Sequence, residues 1–163
     1  MRIFLDANVL FSAAHRTGSP LRAFFRLAEA GVCELFASRF VLDEARRNIA
    51  REHPAKTAEL EQLIARIAIC REAGAEEVRW ARSTGLPDKD APILAAAVHA
   101  KADIPVTGDR THFGSLYKRI LRGLEVLPPR TALERILAVE REQSGATGKR
   151  SRVRREDDEP PSR

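Results

Sequence analysis

Short apolar runs alternate along the chain with segments whose apolar residues recur at helical spacing. Turn or polar residues bound the apolar runs, which predict five strands: Arg2–Leu5, Val32–Ala37, Ile67–Cys70, Ile104–Thr107 and Glu125–Leu127. Caps and helical periodicity predict helices near residues 20–30, 39–52, 54–67, 75–81, 91–98 and 131–140. Because strands that alternate with helices form βαβ units, the pattern predicts the α/β class, as a three-layer α/β/α sandwich around a central, mostly parallel sheet.

Composition divides the chain into a folded part and a tail. Its 163 residues are 44% hydrophobic and 31% charged, which is typical of one globular domain with a single core. From Gln143 onward apolar residues nearly vanish, so we expect a domain over residues 1–140 and a charged, disordered tail over residues 141–163. The formal net charge of +5 weakly favours a polyanionic partner such as nucleic acid.

Other sequence features exclude several classes of protein. No run of about 18 uncharged apolar residues predicts a membrane span, and Asp6 interrupts the apolar start before a signal peptide can form. Cys33 and Cys70 lie in apolar surroundings without a CxxC motif, which fits reduced thiols in a cytoplasmic protein. The absence of GxSxG, Walker A and GxGxxG motifs argues against serine hydrolases, P-loop NTPases and dinucleotide oxidoreductases. We therefore expect a cytoplasmic protein that has no membrane partner.

Three acidic residues stand at the ends of predicted elements. Asp6 follows the first strand, Asp109 follows the strand 104–107, and Asp90 precedes the nearly all-apolar helix 91–98. Parallel α/β sheets bind ligands beyond the carboxyl ends of their strands, and a helix N-terminus favours a carboxylate. The three acids are therefore candidate site residues.

A fourth acid, Glu44, is placed by the pattern on the inward face of the helix 39–52. It follows Phe40 by four residues and Val41 by three, and the apolar stripe continues to Ile49. An unpaired buried carboxylate is costly, so Glu44 is expected to need a partner. The alternative is a surface acid paired within its own helix.

The cluster of Asp6, Glu44, Asp90 and Asp109 needs a counter-charge, because converging carboxylates repel one another unless a cation screens them. A donor set made of oxygen atoms suits one or two Mg²⁺ or Mn²⁺ ions and does not suit zinc, which prefers Cys and His. The chemistry expected of such a site is attack of a metal-activated water on a phosphodiester.

Four segments, taken together, match the pattern of a known family. They are residues 3–10 (IFLDANVL), the helix that carries Glu44, residues 87–97 (PDKDAPILAAA) and residues 106–109 (VTGD). In this order and combination, residues 1–140 resemble the PIN-domain ribonucleases, which include toxin components of bacterial toxin–antitoxin pairs. The resemblance implies a PIN-like fold, Mg²⁺- or Mn²⁺-dependent endonucleolytic cleavage of single-stranded RNA, a homodimer and an antitoxin protein as partner.

The resemblance also assigns roles residue by residue. The metal-binding, catalytic acids of the family match four residues of this chain: Asp6, Glu44, Asp90 and Asp109. Supporting roles fall to three further residues: Asn8, Asp88 and Thr107. The chain departs from the pattern at Ala7, where many relatives have Thr, and at Thr111 and His112, where some have another acid. These departures weaken the expectation of a second metal site and do not affect that of the first.

Basic residues near the acids are candidate contacts for RNA phosphates: Arg47, Arg51, Lys89 and Arg110. The first two follow Glu44 on its own helix, and the other two adjoin proposed metal ligands in the sequence. The alternative for each is a solvated surface charge. His112 is expected to be structural or to contact substrate, and not to act as a general base.

The function expected from these features is that of a metal-dependent endoribonuclease, the toxin component of a toxin–antitoxin pair. Two alternatives remain open. One is a PIN-like module that binds RNA or protein without cutting. The other is a phosphatase-type hydrolase with Asp6 as nucleophile, which requires a second Asp two residues later, where this chain has Asn8.

Overall fold

A parallel sheet of four strands lies at the centre of the fold. The computed structural model of the chain describes residues 1–156, and it describes side chains over residues 1–142. The four strands lie in the spatial order β3-β2-β1-β4. They are β1 (Arg2–Leu5), β2 (Glu34–Ser38), β3 (Ala68–Cys70) and β4 (Ile104–Val106). A separate antiparallel hairpin is formed by β5 (Ile120–Leu121) and β6 (Leu124–Glu125).

Helices flank the central sheet. Over the described residues they are α1 (Ala7–His15), α2 (Ala23–Glu29), α3 (Arg39–Glu52), α4 (Thr57–Ile64), α5 (Ala75–Ser83), α6 (Ala91–His99), α7 (Arg110–Phe113) and α8 (Pro129–Glu156). Helices α1, α3 and α4 contact one another, and α5 packs against α6. The predicted α/β class with a parallel central sheet is thereby confirmed.

The strand β1 and the helix α6 are deeply buried. Ile3, Phe4 and Leu5 of β1 are fully buried, as expected for an apolar strand with a neighbour on each side. In α6 every residue from Ile93 to Ala97 is buried, and its alanines let the helix lie close to α5 and β2. Asp6 follows β1 and Asp90 precedes α6, so the core fixes the backbone positions of these two acids.

The strand predicted over residues 125–127 is divided in the structure. Leu124 and Glu125 pair within the hairpin, whereas Leu127 forms a parallel bridge to Val106 of β4. Long-range pairing decides this division, because the local apolar pattern is the same for both parts.

Two other local predictions differ from the structure. Helix α1 begins directly after Asp6, because the Asp6 side chain caps it. The sequence pattern does not predict this helix. Phe40 is 37% exposed and not inward-facing. The buried stripe of α3 is centred on Val41, Ala45 and Ile49, and Phe40 lies in the first turn to one side of it.

Helix α8 extends beyond the predicted helix 131–140 to Glu156, into the segment 141–163 that the composition predicts to be a tail. Residues 157–163 lie outside the described part of the chain, and the division at residue 140 stays a prediction. Within the described residues, none of the helices has both the length and the apolar character that crossing a membrane requires.

Candidate active site

The ends of β1 and β4 place two carboxylates at two helix N-termini. Asp6 follows β1 and caps α1, with its Oδ1 accepting a hydrogen bond from the Ala7 N–H at 2.6 Å. Asp109 follows β4 and caps α7, with its Oδ1 accepting from the Thr111 N–H at 2.9 Å and the His112 N–H at 3.1 Å. Because β1 and β4 are parallel neighbours, both carboxylates lie at the same edge of the sheet.

Two polar side chains join these strand ends. The Asn8 Nδ2 and the Thr107 Oγ1 each donate to the Asp6 Oδ2 at 2.6 Å. The Gly108 N–H donates to the Asn8 Oδ1 at 2.8 Å, and the Asp109 N–H donates to the Thr107 Oγ1 at 3.1 Å. A Cβ at Gly108 would lie 3.2 Å from the Asn8 Oδ1, so this close approach favours glycine. The network fixes the orientation of the Asp6 carboxylate.

Asp90 stands at the N-terminus of α6 but does not cap it through its side chain. The residue is 7% exposed, and its Oδ2 has no hydrogen-bond donor in the described part of the chain. The His112 Nδ1 lies 3.2 Å from this oxygen, but not in the geometry of a hydrogen bond. The same nitrogen lies 2.6 Å from the Asp109 Oδ2. A buried acceptor that lacks a donor indicates a missing electropositive partner.

The predicted acids converge on one pocket with a volume of about 260 Å³. Its lining includes the four acids, one predicted supporting residue and one predicted cation: Asp6, Glu44, Asp90, Asp109, Asn8 and Lys89. Glu44 is half-buried and reaches the pocket from α3, although Phe40 lies outside the buried stripe. Asn48, one turn after Glu44, also lines the pocket.

The carboxylates of the pocket differ in how readily they ionise. Burial raises the pKa of Asp6 to about 6, against the opposing hydrogen bonds from Thr107 and Ala7 and with a small addition from the Glu44 charge. Burial also raises the pKa of Asp90. Burial acts in the same direction on Asp109, but hydrogen bonds from His112 outweigh it and leave its pKa lowered. A bound cation would oppose the effect of burial on Asp6 and Asp90.

The residues present fit a divalent cation. A carboxylate oxygen of Asp90, a carboxylate oxygen of Asp109 and a ring nitrogen of His112 all lie within 4.8 Å of one another, and the Asp90 Oδ2 lacks a hydrogen-bond donor in the described part of the chain. Asp6 and Glu44 add carboxylate oxygens to the same pocket. The carboxylate oxygens of this set are hard donors, which hold Mg²⁺ or Mn²⁺.

A family model described as a PIN domain matches residues 2–111, which include the two strand ends and all four acids of the pocket. The chain belongs to the PIN-domain family. No match was found among curated proteins.

Solved structures with the same fold include proteins from three organisms. PAE2754 from Pyrobaculum aerophilum aligns with a TM-score of 0.62 and 18% identity, over 85% of this chain and 96% of that one. VapBC2 from Rickettsia felis, bound to a DNA fragment from its promoter, aligns at 0.59 and 16%, over 78% and 98%. FitAcB from Neisseria gonorrhoeae aligns at 0.52 and 22%, over 78% and 97%. At these identities the likeness is one of PIN fold.

The structure does not bring every predicted site residue to the PIN pocket. The Asp88 side chain is 86% exposed and pairs with Arg82 at 2.8 Å, because the turn before α6 directs it toward α5. Arg47 is exposed outside the lining, and Arg51 pairs with Glu52 at 2.7 Å. The Asp88 side chain therefore makes no contact of the kind by which Asn8 and Thr107 support Asp6, since both of these donate hydrogen bonds to its carboxylate.

Arg110, the first residue of α7, is exposed beside Asp109. Two residues of the site carry no prediction as ligands or supports from the sequence, His112 and Asn48. The signal for His112 is its spacing of three residues after Asp109, which places both on one face of a helix turn. The signal for Asn48 is its spacing of four residues after Glu44.

We expect the buried Asp6 carboxylate to destabilise the metal-free PIN domain as the pH rises. Its folded pKa of about 6 exceeds the ordinary 3.8, so the folded state binds the proton more tightly and loses that advantage between these two values. In EDTA, the Asp6→Asn variant should gain on the order of 2–3 kcal/mol of unfolding free energy relative to wild type between pH 4 and pH 7. Urea unfolding across this range measures the difference, and a difference independent of pH would contradict it.

Proposed function

We propose that this PIN domain is a divalent-metal-dependent endoribonuclease that hydrolyses phosphodiester bonds of single-stranded RNA. The observation that carries the proposal is the buried Asp90 Oδ2, which lacks a hydrogen-bond donor in a pocket shared with three other carboxylates. A binding module that only contacts RNA has no need of such concentrated negative charge, which repels phosphates. A cation in the pocket reverses that repulsion.

Asp6, Asp90 and Asp109 are proposed to hold the principal Mg²⁺ or Mn²⁺ ion, and Glu44 to bind it through water or to hold a second ion. When bound, the ion acidifies a coordinated water and offsets the charge of the scissile phosphate. The chain itself keeps the carboxylates in register through the hydrogen bonds of Asn8 and Thr107 to Asp6. The products are proposed to carry 5′-phosphate and 3′-hydroxyl ends.

Cations around the pocket are proposed to position the RNA. Lys89 lines the pocket, and Arg110 is exposed next to Asp109, so both can reach phosphates that flank the cleaved bond. Arg47 and Arg51 lie farther out along α3, where they are proposed to contact more distant phosphates. The small excess of positive charge in the chain supports the attraction of a polyanion such as RNA.

The test is cleavage of an end-labelled single-stranded RNA by the purified chain with Mg²⁺, with Mn²⁺ and with EDTA. Cleavage that needs the metal and produces 5′-phosphate ends is the expected result. RNA binding with no cleavage under any metal would favour the alternative, a PIN domain that binds RNA without cutting.

We further propose that the protein acts in the cytoplasm as a homodimer and as the toxin of a toxin–antitoxin pair. The support is the PIN family and the shared fold with VapBC2 and FitAcB. Expression should arrest growth, and co-expression of a neighbouring gene product should relieve the arrest. Normal growth with a fully active nuclease would indicate a housekeeping enzyme. Light scattering of the purified chain tests the dimer.

The Thr107 hydroxyl should matter for catalysis through its contact with Asp6. The Thr107→Val substitution preserves volume but removes the donor to the Asp6 Oδ2 and the acceptor for the Asp109 N–H. We expect kcat/KM for RNA to fall by about 10–100-fold, as for other residues that orient metal ligands. Thr111→Val is the matched control, because Thr111 contacts Asp109 only through its backbone. Equal activity in both variants would contradict the positioning role.

A further inference from the structure

An imidazole stands where the acid cluster of this PIN domain meets α7. The His112 Nδ1 lies 2.6 Å from the Asp109 Oδ2 and 3.2 Å from the Asp90 Oδ2. We propose that His112 is itself a metal ligand, and that this mixed nitrogen and oxygen set favours first-row transition ions such as Mn²⁺ over Mg²⁺. The inference rests on the proposed function, in that it concerns the ion of the same pocket.

The hydrogen-bond requirements of the three side chains are not met without a cation. A neutral imidazole carries one proton, so Nδ1 can donate to one oxygen at most. In the short contact, the Nδ1–H donates a hydrogen bond to the Asp109 Oδ2, and the Asp90 Oδ2 is left buried without a donor. A cation between the three groups would satisfy both carboxylates; the single ring proton would then lie on Nε2, and the Nδ1 lone pair would face the ion.

The spacing of the three atoms fits one coordination sphere. Neighbouring ligands of an octahedral ion with bonds of about 2.1 Å lie about 3 Å apart. The two nitrogen-to-oxygen distances of 2.6 and 3.2 Å bracket that value, and a carboxylate oxygen of each acid and a His112 ring nitrogen fall within 4.8 Å of one another. The three side chains therefore need little rearrangement to coordinate one ion.

Local structure holds His112 in this position. Its backbone N–H donates to the Asp109 Oδ1, so the first turn of α7 orients the capping carboxylate and the imidazole together. The following residue, Phe113, is buried and anchors the turn in the core. Asp90 is held independently by the buried helix α6.

The chemistry of the donor atoms determines which ion the proposed site prefers. Mg²⁺ is a hard ion that strongly prefers oxygen, whereas imidazole nitrogen suits first-row transition ions. Replacing His112 by aspartate restores a set made only of oxygen donors. We expect the ratio of the Mg²⁺ to the Mn²⁺ dissociation constant to fall about 10-fold in His112→Asp.

The test uses the full chain loaded with Mn²⁺ and pulsed electron paramagnetic resonance, which detects a ¹⁴N nucleus directly bonded to the ion. Wild type should show the nitrogen coupling, and both His112→Gln and His112→Asp should lose it. His99→Gln is the matched control, because His99 lies at the far end of α6 and is hydrogen-bonded to Glu77 at 3.0 Å. Its substitution should leave the nitrogen coupling intact.

The outcomes separate this inference from the proposed function. Bound Mn²⁺ without nitrogen coupling in wild type, or coupling that survives in both His112 variants, overturns the ligand role and leaves the nuclease proposal standing. Nitrogen-coupled Mn²⁺ in a protein that cuts no RNA supports the ligand role and overturns the nuclease proposal. Failure to bind Mn²⁺ at all overturns both.

Discussion

Asp90→Asn is expected to lower RNA cleavage at least about 100-fold, because it removes the charge of a proposed metal ligand, and residues that only support such ligands are worth about 10–100-fold in comparable sites. The fold should persist. The buried carboxylate gains no hydrogen bond at its Oδ2 in the metal-free protein, so a neutral amide costs little stability there. The measurements are single-turnover cleavage and thermal unfolding of the same preparation.

Asp88→Asn is the matched control for this change. Asp88 lies two residues earlier in the chain, but its side chain is 86% exposed and pairs with Arg82. Its loss should change cleavage by no more than about 2–3-fold, as expected for a solvent-screened surface pair. Equal losses in both variants would indicate that the turn, and not the Asp90 carboxylate, sustains activity.

Phe4→Ala should be the most destabilising single truncation in the sheet, at about 3–5 kcal/mol. Phe4 is fully buried in the central strand β1, opposite Phe36 on one side and Pro105 on the other. A loss of this size is a large share of the roughly 5–15 kcal/mol typical of a domain, and corresponds to a fall in Tm of about 6–20 °C. Thermal unfolding measures it.

Phe40→Ala removes the same side chain from the first turn of α3, where Phe40 is 37% exposed. We expect a cost of less than about 1 kcal/mol there, because little apolar surface leaves the core. Similar costs for the two substitutions would contradict the burial difference. Cleavage per folded molecule should be unchanged in Phe40→Ala.

The fold and most of the acid cluster could be predicted because the relevant signals are local. The apolar run before Asp6 and the apolar helix after Asp90 are unambiguous, and parallel sheets bring strand ends together by topology. Glu44 lines the pocket from α3 whereas Phe40, which the pattern assigns to the same stripe, is exposed, because helical periodicity defines the centre of an apolar stripe better than its edges.

The remaining features depend on contacts between distant residues. The helix α7 is a single turn, too short for periodicity to indicate, and its turn brings His112 to Asp109 and Asp90. Exposure of Asp88 likewise follows from its ion pair with Arg82 on another helix. Sequence spacing places residues on elements, but tertiary packing decides which of them point into the pocket.

The most direct test of the proposed metal-dependent nuclease site titrates Mn²⁺ into wild type and Asp6→Asn, with bound ion and RNA cleavage measured on the same samples. We predict that the cleavage rate of wild type follows the fraction of protein with bound ion and is abolished by EDTA. In Asp6→Asn, ion binding weakens and cleavage is lost, while the folded state remains. Cleavage that persists in EDTA, or an Asp6→Asn variant that cuts RNA at the wild-type rate, would contradict it.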